Sequence, residues 1–250
     1  MNDAIVVIIP ARFASSRLPG KPLLDLGGKP MIQHVYERAM QADVAAVWVA
    51  TDDARIFDAV VAFGGRVVMT APDHVSGTDR VAEAARGLAA TIVVNVQGDE
   101  PLLDPALINR VAAPLRADAT LDMATVAHPL YDAAEANDPN VVKVVCDRRG
   151  LALYFSRLPI PFDRDRQGEA TSPQGVTAPF LRHVGLYAYR ADFLQTFARL
   201  PATGLEQRER LEQLRALEYG HTIHVVVADG MTIGVDTPAD AQRVRQLLGA

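Results

Sequence analysis

The chain has 250 residues, 49% of them hydrophobic and 22% charged, with a formal net charge of −5. That length buries a full core without covalent staples, the composition excludes a disordered or collagen-like polypeptide, and the negative balance argues against a general nucleic-acid binder, which needs a basic face. No stretch approaches the roughly 18 apolar residues of a membrane span and no basic, apolar leader opens the chain, so a cytoplasmic protein without membrane insertion is expected.

Ile5 to Ile9 is a β-branched run that predicts a first strand. The stretch from Ile9 to Pro22, "IPARFASSRLPGKP", then gathers Arg12, Arg17 and Lys21 among Ser15, Ser16 and Gly20. A loop leaving the first strand of an open α/β sheet sits at the crevice where such folds bind ligands. Small residues with exposed N–H groups, flanked by cations, suit a polyphosphate there. The pattern is neither a Walker A loop nor GxGxxG, which disfavours a nicotinamide oxidoreductase. Helix-period segments at Met31–Met40, Asp53–Phe63, Thr78–Leu88 and Pro105–Leu115 alternate with strand-like runs at Ala46–Ala50, Arg66–Met69, Ile92–Val96, Asp122–Ala127 and Val141–Val145. This alternation predicts a mostly parallel sheet with helices on both faces.

The second half is less regular. Leu151–Arg157 reads as a strand, Pro159–Pro179 as a long excursion rich in Pro, Gly, Asp and Arg, and His183–Tyr189 as another strand. Helices are expected over Asp192–Leu200, Glu206–Tyr219 and Pro238–Leu248, with a strand at Ile223–Ala228. The single cysteine, Cys146, permits no intrachain disulfide or thiolate metal site and reads as apolar filler. His34, His74, His128, His221 and His224 have no metal-ligand spacing.

Two carboxylates stand out. Asp99, in "QGDEP", emerges at the end of a predicted strand, facing the same crevice as the loop; Asp236, in "GVDTP", lies far along the chain. A small hard cation such as Mg²⁺ is held by one or two carboxylates together with substrate phosphates and water. The local alternative is capping: Asp99 of the turn before Pro101, and Asp236 of the last helix. Ser76-Gly77-Thr78 opens a helix and reads locally as its N-terminal cap.

The loop, followed in order by "GKPMIQHVYERA", "ATDD", "DHVSGTDR", "VNVQGDEPLL", "NDPNVVKVV", "ALYFSR", "FLRHVGLYAYR", "LEQLRALEYG" and "GVDTP", resembles the sugar-activating nucleotidyltransferases. Within them the ordered set, which runs through nearly the whole chain, is similar to the cytidylyltransferases that activate 3-deoxy-manno-octulosonate (Kdo). The resemblance implies a Rossmann-like nucleotidyltransferase fold, one domain over residues 1–250 with a lobe at about 150–190 for dimerisation and sugar binding. It implies Mg²⁺-dependent transfer from CTP to Kdo, giving CMP-Kdo and pyrophosphate for lipopolysaccharide synthesis, by a homodimer whose interface includes the 159–179 excursion. That excursion matches no motif. By the same resemblance Lys21, Asp99 and Asp236 are catalytic, the two aspartates as metal ligands. Arg12, Ser15, Arg17, Lys21, Ser76, Gly77 and Thr78 bind the nucleotide, and Gln97, Arg157, His183, Tyr187, Glu212 and Gln213 the sugar acid. Glu100 is read as a structural or supporting acid. The alternatives are a cytidylyltransferase for another ulosonic acid, such as a sialic acid, and a non-catalytic sugar-nucleotide-binding protein. The latter predicts erosion of the acidic pair or the lysine, and all three residues are present.

Overall fold

The computed structural model describes residues 4–14, 18–162, 164, 180–229 and 233–249. The strands are β1 (Ile5–Ala11), β2 (Ala46–Thr51), β3 (Val67–Met69), β4 (Ile92–Asn95), β5 (Met123–Leu130), β6 (Lys143–Cys146), β7 (Ala152–Ser156), β8 (Phe180–Arg190) and β9 (Ile223–Val227). Between them lie α1 (Met31–Ala39), α2 (Ala54–Ala62), α3 (Gly77–Ala85), α4 (Pro105–Ala117), α5 (Ala133–Asn137), α6 (Ala191–Phe197), α7 (Gly204–Glu209), α8 (Leu214–Glu218) and α9 (Pro238–Leu248), with a 3-10 turn at Lys21–Leu23. Each strand expected from the sequence forms. The short α5 was not expected.

The main sheet runs β3-β2-β1-β4-β8-β5-β9. The pairs β3–β2, β2–β1, β1–β4 and β5–β9 are parallel, whereas β8 is antiparallel to both β4 and β5. All strands of that path therefore point one way except β8. The β6–β7 hairpin joins through β6, which pairs antiparallel with β8. Chain order reverses between β1 and β4, so the crevice beyond their carboxyl ends is the switch point at which open α/β sheets bind ligands.

Alternation along β1 divides the core. Ile5, Val7, Ile9 and Ala11 join a cluster that includes Ile32 and Val35 of α1 and Ile108 of α4; Val6 and Ile8 join another with Val81 of α3 and Phe193 of α6. Helices thus cover both faces, and β1, buried on both, reads as a continuous apolar run. A third, smaller cluster docks α9: Ala241 and Val244 pack with Val235, Leu26 and Met31. Arg245 adds a hydrogen bond from Nε to the Asp25 carbonyl at 3.0 Å.

The helix expected over Glu206–Tyr219 is instead two, α7 and α8, broken at Arg210, whose backbone is left-handed at φ 54°. The cause lies outside the segment. The Arg157 guanidinium donates to the Glu209 carbonyl at 2.7 Å and the Arg210 carbonyl at 3.3 Å, taking acceptors that a continuing helix would use. Cys146 is half-buried, and burial, with Asp147 adding, pushes its thiol up to about 11. That keeps it protonated at neutral pH.

At the switch point β1 and β4 run on so closely that a Cβ on Gly98 would lie 2.9 Å from the Pro10 carbonyl oxygen. Backbone cannot yield as a side chain does. Gly98→Ala is expected to destabilise the protein by about 1–3 kcal/mol, as overpacking does. An unchanged denaturant midpoint would show that the two segments can part freely.

Candidate active site

Lys21 begins the 3-10 turn behind the β1 loop and is 9% exposed. Its Nζ donates to Asp99 Oδ2 at 2.7 Å and to Asp236 Oδ1 at 3.0 Å. Asp99 follows β4 and Asp236 precedes α9, so three distant segments meet at one nitrogen. Main chain fixes the meeting: the Val235 N–H donates to the Asp99 carbonyl at 2.9 Å. The cap of α9 is Thr237, whose side chain accepts from the Asp240 N–H in a reciprocal capping box. This corrects the capping alternative for Asp236, whose carboxylate is directed to Lys21. Burial first, then the neighbouring Asp99 carboxylate, push Glu100 up to about 8. Glu100 therefore carries a proton at neutral pH.

The crevice around this cluster encloses about 260 Å³. Arg12, Ser76, Gly77, Gln97, Asp99 and Asp236 are among its lining, with Arg12 exposed at the mouth. Ser15 and Arg17 lie outside the described residues. Ser76 caps α3 in a reciprocal box with Asp79, and Thr78 Oγ1 donates to Glu212 Oε2 at 2.5 Å. Two further lining residues escaped the sequence reading, Arg80 and His74. Arg80, 3% exposed, spans from Thr70 Oγ1 to Asp52 Oδ2, the latter at 2.9 Å, and so ties the α3 terminus to the segments after β2 and β3. His74 is paired with Glu83. The signal for Arg80 was its position four residues after the cap, on the crevice side of the helix.

The residues assigned to the sugar acid fall along β8 and the α7–α8 link. His183 and Tyr187 are ring neighbours at 5.4 Å, with Phe155 of β7 edge-on to His183 at 5.0 Å. Thr125 Oγ1 lies 2.9 Å from His183 Nε2, and burial pushes that imidazole down to about 3, so it is neutral. Burial likewise holds the Tyr187 phenol above its usual range, with Glu212 adding. Gln97 meets this strand from the crevice side, its Cγ 3.7 Å from where a Cβ would stand on Gly185. Burial raises the Glu212 carboxyl although Thr78 donates to it. Its Oε1 and the Nε2 of Gln213 are buried without a hydrogen-bond partner in the protein. Arg157 is placed differently: Nε, Nη1 and Nη2 donate to the carbonyls of Glu209, Pro139 and Arg210. Of its five N–H groups, three are engaged with main chain.

The donor set around Lys21 fits a small hard cation. Two carboxylates from separate segments reach the same point, and Mg²⁺ characteristically takes one or two carboxylates and leaves its remaining positions to phosphate and water. No cluster of three or more His, Cys, Asp or Glu suited to a metal occurs among the described residues, which leaves no all-protein cage.

A family model described as cytidylyltransferase matches residues 6–223. The 3-deoxy-manno-octulosonate cytidylyltransferase of Syntrophotalea carbinolica is 54% identical over 96% of this chain and 97% of its own. That of Vibrio cholerae is 53% identical over 98% of each. A solved structure of CMP:2-keto-3-deoxy-manno-octonic acid synthetase complexed with CTP superposes with a TM-score of 0.92 at 50% identity, covering 99% of both chains.

His183 gives a pH test. Unfolded, its ordinary value is 6.5, whereas the folded imidazole protonates only near 3. The unfolded chain therefore binds the proton first, and this residue's contribution to stability declines as pH falls from about 6.5 toward about 3. His183→Gln should flatten that part of the curve of unfolding free energy against pH. Superimposable slopes for the two proteins would contradict the burial.

Proposed function

This chain belongs to the cytidylyltransferase family, in the branch that acts on 3-deoxy-manno-octulosonate, and from that membership and the Lys21 cluster we infer its reaction. It transfers the cytidylyl group of CTP to Kdo. The anomeric hydroxyl of Kdo forms a bond to the α-phosphorus, the bond to the β-phosphate oxygen breaks, and CMP-Kdo and pyrophosphate leave, with the hydroxyl proton released. The observation that carries the assignment of roles is the meeting of Lys21, Asp99 and Asp236 at the switch point, where an ammonium and two carboxylates face the crevice.

The work asked of the protein is alignment of nucleophile and leaving group and neutralisation of phosphate charge. Lys21, Arg12 at the mouth and Arg17 are the cations for the phosphates in this reading, and Ser15, Ser76, Gly77 and Thr78 bind the nucleotide. Asp99 and Asp236 would hold Mg²⁺. When bound, that ion neutralises phosphate oxygens and orients them. Gln97, His183, Tyr187, Glu212 and Gln213 bind the sugar acid, supported by the buried Glu212 Oε1 and Gln213 Nε2, which make no hydrogen bond within the protein. Arg157 borders this group. A sialic-acid-directed activity is not favoured, because the full-length relatives carry the Kdo activity in their names.

The enzyme works as a cytoplasmic homodimer in this reading. Leu153 of β7, Leu158 and Phe162 are 63%, 69% and 73% exposed, an apolar group suited to association. Among the described residues no helix is long and apolar enough to cross a membrane.

Pyrophosphate release with CTP, Mg²⁺ and a panel of ulosonic acids tests the reading, Kdo being the acceptor expected to react. Lys21→Ala should lower turnover by roughly 10²–10³-fold, the loss seen when one preorganised donor is removed. Normal turnover at saturating CTP would remove Lys21 from the chemistry. Asp99→Asn should weaken Mg²⁺ binding and raise the Mg²⁺ concentration needed for activity, part of the rate returning at excess Mg²⁺; full activity of the Asp99→Asn and Asp236→Asn variants at low Mg²⁺ would refute the shared site.

A further inference from the structure

Lys143 opens β6 inside the apolar run "VVKVV" and is 0% exposed, yet among the described residues no carboxylate forms a salt bridge with it. Its ammonium donates instead to three main-chain carbonyls, those of Asp138 at 3.0 Å, Val141 at 2.5 Å and Arg157 at 2.6 Å. An ammonium has three N–H groups, so this cage uses all of them. Arg157 continues the pattern, its guanidinium holding the carbonyls of Pro139, Glu209 and Arg210. Two side chains thus bind six carbonyl oxygens from three segments.

Glu209 closes the arrangement. Its Oε1 accepts from Ser156 Oγ at 2.8 Å and its Oε2 from the Arg157 N–H at 3.1 Å. The same residue ends α7, and Arg210 then takes the left-handed turn that starts the link to α8. On that link stand Glu212 and Gln213, whose buried Oε1 and Nε2 make no hydrogen bond within the protein, Arg215 Nη2 coming only to 3.8 Å from Glu212 Oε1. The other end of the cage also reaches the acceptor side, since the His183 N–H donates to the Val142 carbonyl at 2.8 Å. Desolvation holds the Lys143 ammonium below its usual range, with Arg157 adding and Asp138 and Glu209 opposing. Burying a cation is costly unless its N–H groups are satisfied, and here three main-chain carbonyls satisfy them.

We propose that Lys143 and Glu209 are positioning residues for the acceptor sugar, locking the 138–142 loop and the 209–213 link so that Glu212, Gln213 and His183 face the ulosonic acid. This rests on the reading of Glu212 and Gln213 as acceptor ligands. Neither Lys143 nor Glu209 touches the Lys21 crevice, so the nucleotide side is left unaffected by their replacement.

The test is steady-state kinetics on the full chain with CTP and Kdo varied in turn. Glu209→Gln keeps size but loses one acceptor oxygen, and Lys143→Met keeps the stem without the ammonium. Each should raise the KM for Kdo on the order of tenfold, the CTP value moving less than about twofold. Ser156→Ala, which removes one of the bonds to Glu209, should shift it in the same direction by less. Equal rises for both substrates, or a lower melting temperature with an unchanged ratio of the two KM values, would overturn the proposal. If Lys143→Met does not fold, Glu209→Gln and Ser156→Ala decide alone. Glu212→Gln separates the two levels of inference. A normal Kdo KM in that variant overturns the acceptor reading and this proposal with it, whereas a raised value beside unaffected Glu209→Gln and Lys143→Met overturns only the positioning role.

Discussion

The ammonium of Lys21 and the carboxylates of Asp99 and Asp236 depend on one another. A lysine so little exposed is tolerated only with partners for its charge, and a cation between two carboxylates offsets their mutual repulsion. The partners stand 78 and 215 positions from the lysine, so satisfying this local requirement ties the first βα loop, the end of β4 and the start of the last helix together. Much of the surrounding packing reads as support. The Val235 N–H sets the register of Asp236 against Asp99, the small apolar cluster under α9 holds that helix down, and the absence of a Cβ at Gly98 lets the two strand ends approach.

Around this cluster the proposed function divides the molecule into a nucleotide side and an acceptor side, joined along the antiparallel β4–β8 pairing. The nucleotide side is built from the ends of β1 and β4 and the capped terminus of α3. The acceptor side is built from β8, the β6–β7 hairpin and the α7–α8 link. Nearer the crevice, Gln97 against Gly185 and Thr78 against Glu212 add side-chain junctions. A transfer reaction whose barrier is governed by alignment is served by such short connections, because a displacement on one side is felt on the other.

The fold was legible where local chemistry dominates. β-branched runs marked the strands, and alternation with helical periods in the first half announced parallel pairing. The insertion of β8 between β4 and β5 left no local trace, since a strand's partners are chosen by burial across long sequence separations. The α7–α8 break was hidden for the same reason: the helical period continues through Arg210, and the interruption is imposed by a guanidinium more than 50 positions away. Asp236 was partly legible, because Thr237 and Asp240 have capping-box spacing and so account for the cap without the preceding aspartate. Lys143 was visible only as a charge inside an apolar run, and Arg80 only by its place four residues after the cap of α3. Their partners, a threonine, an aspartate and a set of carbonyls, come from turns whose sequences carry no period.

The antiparallel strand at the centre of the sheet also governs how the chain is assembled. Strands β1 to β4 pair among themselves and are complete once residue 95 has been made, but the outer edge of β4 receives its neighbour only when residues 180–190 emerge. For that interval a newly synthesised chain carries a paired, twisted half-sheet with one open edge in what will become its middle. Such edges template contact with other chains. The nucleotide half of the fold is therefore the part that can form early, and the strand bearing His183 and Tyr187 is the late closure that converts an aggregation-prone half into a finished sheet.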